Sequence, residues 1–156
     1  MNVDTRITLN VLGMAIYTTS IDSKLSSEDA FAYMAAFENV AQWDPGVVEA
    51  QRLTEGPLKL GTEFQVLTQT GKRRIPLTYA ITQFEEGSRV VLSASSSSLR
   101  SVDEIRVVAN GTGSTVTYKA NLSLLGLLRI ANPFLSPTLK KIGDRARDGL
   151  VRELNR

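Results

Sequence analysis

The stretch STVTYKANLSLLGLLRIANPFLSPTLKKIGDRARDGLVREL, residues 114–154, changes its hydrophobic period halfway along. Val116, Tyr118, Ala120, Leu122 and Leu124 alternate with Thr115, Thr117, Lys119, Asn121 and Ser123, which is period two and reads as a strand with one apolar face. From Pro137 on, Leu139, Ile142, Ala146, Leu150 and Leu154, with Leu135 just before them, recur at helical spacing. Lys140, Lys141, Asp144, Arg145, Arg147, Asp148 and Arg152 fill the other side and read as a solvated surface with acid-first pairs at spacings of three and four. A half-buried strand followed by a long amphipathic helix predicts a helix packed on a sheet that is wet on its far side. Gly143, Ala146 and Gly149 lie within that helix, where each glycine costs about 1 kcal/mol relative to alanine. Either they permit close helix–sheet contact or they leave room for a guest.

Working back from residue 114, the chain reads as successive strands at 47–53, 62–69, 73–85, 89–96 and 101–109, separated by short turn-rich loops. Short connections predict an antiparallel meander ending in the strand at 114–124. Ile75, Leu77, Tyr79 and Ile81 alternate with Arg74, Pro76, Thr78 and Thr82, so one face is again apolar. Pro76 conflicts with a central strand, which has no N–H to spare. TGKRRIP (70–76) is a basic hairpin tip, and SSSSLRS (95–101) reads as a polar hairpin rather than a linker.

Further upstream, residues 5–22 alternate as one strand or as two pieces of one, with Ile7, Leu9 and Val11 before Gly13 and Ala15, Tyr17, Thr19 and Ile21 after it. Gly13 reads as a bulge or break. Ser26, with Asp29 three residues on, starts a short helix in which Ala30, Phe31, Met34 and Phe37 share a face; it ends near Glu38, with a further turn reaching Trp43. Asp44-Pro45-Gly46 follows as a sharp reversal and predicts a type II turn, with positive φ at the glycine.

Composition limits the chemistry. The 156 residues suit one domain, residues 1–156, with a sizeable core. Lysine and arginine number 18 against 16 acidic residues, interspersed, which argues against a nucleic-acid groove. There is no cysteine and no histidine, so disulfides, thiolate sites, Ser-His-Asp and Cys-His catalysis are excluded, and neither a metal nor a bound cofactor is expected. RITLNVLGMAIYTT (6–19) has the length of a signal-peptide core, but Asp4 and Asn10 and the alternation favour a strand. LSLLGLLRIANPFL (122–135) is too short to span a bilayer and carries Arg129. A cytoplasmic protein without stable membrane insertion is the expectation.

The motifs AFAYMAAFENVAQWDPGVVEAQRLTEGPLKLGTEFQV (30–66), IPLTYAI (75–81), GSTVTYKANLSLLGLL (113–128) and PFLSPTLKKIGDRARDGLVREL (133–154) together resemble the START-like, polyketide cyclase/dehydrase-type (SRPBCC) ligand-binding superfamily, in particular its small bacterial single-domain members. The resemblance covers the chain from about residue 14, leaving residues 1–13 as an N-terminal extension of the first strand. It implies an α+β helix-grip fold: a curved seven-stranded antiparallel sheet wrapped around a long C-terminal helix, with two short helices between strands 1 and 2. It also implies an elongated cavity between sheet and helix for a hydrophobic small molecule. Members include carriers, sensors and cyclases, so no reaction follows from it.

On that geometry the expected cavity residues are Phe37, Trp43, Phe64, Val66, Leu77, Tyr79, Leu92, Asp103, Ile105, Tyr118, Leu135, Leu139 and Ile142. Trp43, the sole tryptophan, either plugs the corner between the short helices and the next strand or forms a wall on which a planar ligand stacks. Tyr79 and Tyr118 need hydrogen-bond partners if buried. Asp103 is the candidate for proton transfer, since alternation puts it on the face of Ile105 and Val107. It either pairs with a cation such as Arg100 or Arg73, or carries a raised pKa and anchors a ligand or donates a proton. Three functional classes follow: carriage of a hydrophobic, lipid or polyketide-like small molecule; a cofactor-free cyclase or dehydratase using Asp103 and tyrosines; and a lipid-filled protein-interaction module whose protein partner the sequence does not indicate.

Overall fold

The computed structural model describes residues 1–9 and 14–156. Eight strands form one antiparallel sheet in the order β1-β2-β8-β7-β6-β5-β4-β3. The strands are β1 (Val3–Leu9), β2 (Ala15–Ser23), β3 (Val47–Arg52), β4 (Glu63–Thr70), β5 (Arg73–Glu85), β6 (Arg89–Ser95), β7 (Leu99–Ala109) and β8 (Ser114–Leu124). Between β2 and β3 lie helix α1 (Ser27–Ala35), a 3-10 turn (Phe37–Asn39) and the one-turn helix α2 (Val40–Trp43). A 3-10 segment, Gly126–Phe134, leads from β8 into the long helix α3 (Leu135–Glu153).

This corrects the expected strand count from seven to eight. Residues 3–9 do not extend the first strand; they fold back on it as an antiparallel partner, Val3 opposite Ile21 and Leu9 opposite Ala15. The short helices accordingly follow the second strand. Alternation alone could not show the reversal, because period two continues on both sides of a hairpin; Val11 and Gly13, where the break was read, lie outside the described residues.

Pro76 is accommodated because β5 outlasts its neighbour. Pairing of β5 with β6 begins at Tyr79 opposite Ala94, whereas Pro76 pairs only with Leu67 of β4, so that part of β5 is an edge. The reversal after Trp43 is not type II, and Gly46 has no positive φ. The Asp44 carboxylate accepts from Gly46 N–H at 2.7 Å, and Val47 N–H donates to the Asp44 carbonyl at 3.0 Å. The aspartate side chain therefore does the work assigned to a left-handed glycine.

Ser26 caps α1, its Oγ accepting from Asp29 N–H at 3.0 Å while its hydroxyl donates to the Asp29 carboxylate at 2.8 Å. Ser26→Ala is expected to lower stability by about 1 kcal/mol, read as a shifted urea midpoint at unchanged slope. The glycines of α3 serve close contact. A Cβ on Gly143 would lie 2.5 Å from the Tyr17 ring, and one on Gly149 1.9 Å from the Trp43 carbonyl oxygen. Tyr17 donates to Asp144 at 3.1 Å, tying β2 to the helix.

The half of the sheet under α1, α2 and the end of α3 is solid. Ile21, Phe31, Met34, Trp43, Val90, Ile105, Val107, Val116, Leu150 and Leu154 are all buried there in one cluster. The other half is hollow.

Candidate functional site

The hollow begins where inward residues become small. Across the sheet, Leu122, Ser101, Ala94 and Tyr79 stand side by side on β8, β7, β6 and β5, and in the next row Ala120 faces Asp103. Alanine and serine at these points leave space that Leu92, Ile105 and Val90 fill one or two rows further along. The result is a cavity of about 420 Å³, within the roughly 300–1,000 Å³ usual for small-molecule pockets. Its wall also takes in Val66 and Ile75, the β4–β5 tip (Thr68–Gly71), the Asp44–Val47 turn, and Thr138, Leu139, Lys141, Ile142 and Arg145 of α3.

Asp103 sits on this wall and is only 4% exposed. Its face on β7 is the one expected: Ser101, Asp103, Ile105 and Val107 are all buried. The expected cation partner is missing, since Arg100 and Arg73 are exposed and Asp103 makes no ion pair among the described residues. Its carboxylate instead accepts from the Ser101 hydroxyl at 3.3 Å. Burial pushes its pKa up to about 7, against the Ser101 hydrogen bond, with the Asp44 charge adding to the rise and the phenols of Tyr118 and Tyr79 opposing it. Both phenols are themselves pushed well above the usual tyrosine value, first by burial and then by the Asp103 charge, and remain proton donors. Asp44 is half-buried and also raised by desolvation, offset by the Gly46 amide. The cavity wall thus brings together two carboxyls and two phenols with no cation among them, a set that can donate hydrogen bonds to a ligand oxygen and exchange a proton near neutral pH.

Of the residues expected at the cavity, Phe37, Val66, Leu77, Tyr79, Asp103, Tyr118, Leu139 and Ile142 line it. Trp43, Phe64, Leu92, Ile105 and Leu135 do not. Phe64, Leu92 and Ile105 point inward but into the solid half, and half-buried Leu135 packs beside Tyr17 and Leu139 instead. Trp43 is the corner plug: it is 2% exposed and its ring meets Tyr118 edge-on, centroids 5.3 Å apart. It therefore backs a wall residue without touching the space. Phe37 does the same for Tyr79, at 5.1 Å, while also lining the cavity. The sequence reading missed Asp44, Ser101, the Thr68–Gly71 tip, Lys141 and Arg145. The signal for Ser101 was available, two residues before Asp103 on the same strand face.

An open antiparallel sheet packed against a long C-terminal helix, with a cavity between them, defines the helix-grip class of START-like proteins. The chain belongs to the family of polyketide cyclase / dehydrase and lipid transport proteins, whose pattern it matches over residues 14–155. Similar solved structures include the Zhui aromatase/cyclase from Streptomyces, with 9% identity and a TM-score of 0.67 over 90% of this chain and 91% of that one. A fragment of the STAR-related lipid transfer protein from Xanthomonas axonopodis is similar at 12% identity and a TM-score of 0.65, over 96% and 98%. A START superfamily protein from Mycobacterium smegmatis is similar at 12% and 0.67, over 90% and 96%. At these identities the likeness speaks for the fold. No curated protein matches the sequence significantly.

Proposed function

We propose that the whole chain acts as one ligand-binding domain that carries a hydrophobic or aromatic small molecule, lipid or polyketide-like, non-covalently between sheet and α3. The observation that carries this reading is the cavity of about 420 Å³, apolar along Val66, Ile75, Leu77, Ala120, Leu122, Leu139 and Ile142, with Asp103, Tyr79 and Tyr118 grouped together on its wall. In that arrangement the apolar wall supplies affinity by burial, and Asp103, Tyr79 and Tyr118 orient the ligand by hydrogen bonds to an oxygen. Tyr118 is held by Trp43 and Tyr79 by Phe37, so both donors are presented at little entropic cost. A cytoplasmic setting belongs to this reading.

Asp103 favours a second reading, a cofactor-free cyclase or dehydratase, because an uncompensated buried carboxyl with a pKa of about 7 can both give and take a proton. Asp103→Asn separates the two. A carrier keeps its affinity for a cell-extract ligand within about tenfold and leaves that ligand's mass unchanged in wild type and variant alike, one neutral hydrogen bond having been altered. An enzyme converts the ligand in the wild type, and the variant binds it but turns it over at least about a hundredfold more slowly.

A further inference from the structure

The segment that links β8 to α3 turns its apolar side chains outward. Leu127 is 93% exposed, Ile130 86%, Phe134 76% and Leu128 50%, all within the 3-10 segment Gly126–Phe134. Residues three apart eclipse in a 3-10 helix, so Leu127 and Ile130 share a face. Single exposed apolar residues need no explanation, but four in one short segment do. The segment is not loosely attached. Asn132 is buried, its side-chain oxygen accepting from Leu124 N–H at 2.8 Å and its amide donating to the Leu124 carbonyl at 3.3 Å. Leu125 N–H also donates to the Ser98 carbonyl at 2.9 Å. The lip is thus held in place, joining Leu122 on one side of the cavity to Thr138, Leu139 and Ile142 on the other.

In sequence, the charges in and beside the lip are basic, although Lys140 is paired with Asp144 one turn further along α3. Between Glu104 and Asp144 the sequence carries no acidic residue, while Arg129, Lys140 and Lys141 fall in the lip and the start of α3. The β4–β5 tip, whose Gln69–Gly71 line the same cavity, continues directly into Lys72, Arg73 and Arg74. Among the described residues none of Lys72, Arg73, Arg74, Arg129 or Lys141 makes an ion pair. An apolar face this basic suits an interface with phosphates above hydrocarbon. A second copy of the chain suits it poorly, because a two-fold contact through the lip would bring the same unpaired cations together.

We propose that the lip Leu127–Phe134 and the cations of the β4–β5 tip dock this protein reversibly on the surface of an anionic phospholipid bilayer, with the cavity mouth against the lipid. The proposal stands on this surface alone and holds whatever the cavity carries. The test is sedimentation of the full chain with vesicles of phosphatidylcholine alone and of phosphatidylcholine mixed with phosphatidylglycerol. Binding is expected to the anionic vesicles, to weaken as salt is raised, and to vanish in the double variant Leu127→Glu, Ile130→Glu. Arg73→Ala and Arg74→Ala should each lower partition about fivefold. All four positions are exposed, and unchanged thermal unfolding confirms that the variants fold. The proposal is overturned if the wild type stays in solution with anionic vesicles, or if the lip variants bind them as well as the wild type does. It is also overturned if light scattering finds a dimer that Ile130→Glu dissolves, since a second copy would then be the occupant.

Discussion

Gly149→Ala is expected to destabilise the protein by about 3 kcal/mol, near the upper end for forcing one methyl into a packed site. On helix propensity alone the same change would stabilise α3 by about 1 kcal/mol, so the sign of the effect decides between the two arguments. The contact wins because its partner is backbone. The added Cβ would lie 1.9 Å from the Trp43 carbonyl oxygen and 2.7 Å from its carbon. That peptide cannot swing aside as a side chain could, since Asp44 N–H, the next along, is bonded to the Val40 carbonyl at 2.8 Å. Either α3 lifts from the corner or α2 unwinds, and each loosens Trp43 behind Tyr118. Thermal unfolding should show a drop in Tm of about 6–12 °C for a chain of this size; an unchanged or raised Tm would mean that the helix does not pack on α2 as described.

The second large effect is on the pH dependence of stability. Asp103 has a folded pKa of about 7 against an ordinary value of 3.8. Between those values the native state binds a proton that the unfolded state does not, so stability is highest below about pH 4 for this group and falls as pH rises towards 7. Above 7 the buried carboxylate is charged, and its whole contribution, on the order of 4 kcal/mol, is unfavourable. Asn imitates the neutral acid, so Asp103→Asn should flatten the slope and make the variant more stable than wild type at about pH 8 by a good part of that amount. With no histidine in the chain, the usual alternative source of such a slope is missing. Urea midpoints at about pH 5 and pH 8 provide the measurement, and a wild type with no slope between them would show that Asp103 is not buried alone.

The residues differ in how far they announced their positions. The alternation holds over Ile75–Ile81 of β5 and Ser114–Tyr118 of β8, where one face lies in the interior and one in water; it breaks at the bulge between Ile81 and Gln83 and fades along β8 beyond Tyr118. Ser26 as cap and the stripe Leu139, Ala146, Leu150 were equally plain. The inward turn of Asp103 was readable from Ile105 and Val107 beside it. Two features were not readable. The reversal between β1 and β2 leaves the alternation intact, and a hollow under an apolar face looks the same in periodicity as a filled one. Phe64 and Leu77 carry the same pattern, yet Leu77 borders the cavity and Phe64 does not; the difference lies in Ala94, Ala120 and Ser101 opposite and in where α2 sits. Gly149 was ambiguous between contact and vacancy until Trp43 was placed against it.

The central claim is that the space bounded by Leu77, Ala120 and Leu139 takes up a hydrophobic small molecule. Native mass spectrometry of the wild type and of Ala120→Phe, each exposed to the same small-molecule extract of source cells, tests it most directly, because Ala120 is half-buried and lines the cavity, whose space the added ring would take. The wild type is expected to carry a one-to-one adduct of unchanged mass, and the filled variant to have lost it while unfolding at a similar temperature. An adduct held equally by both proteins, or none on the wild type, would contradict the account.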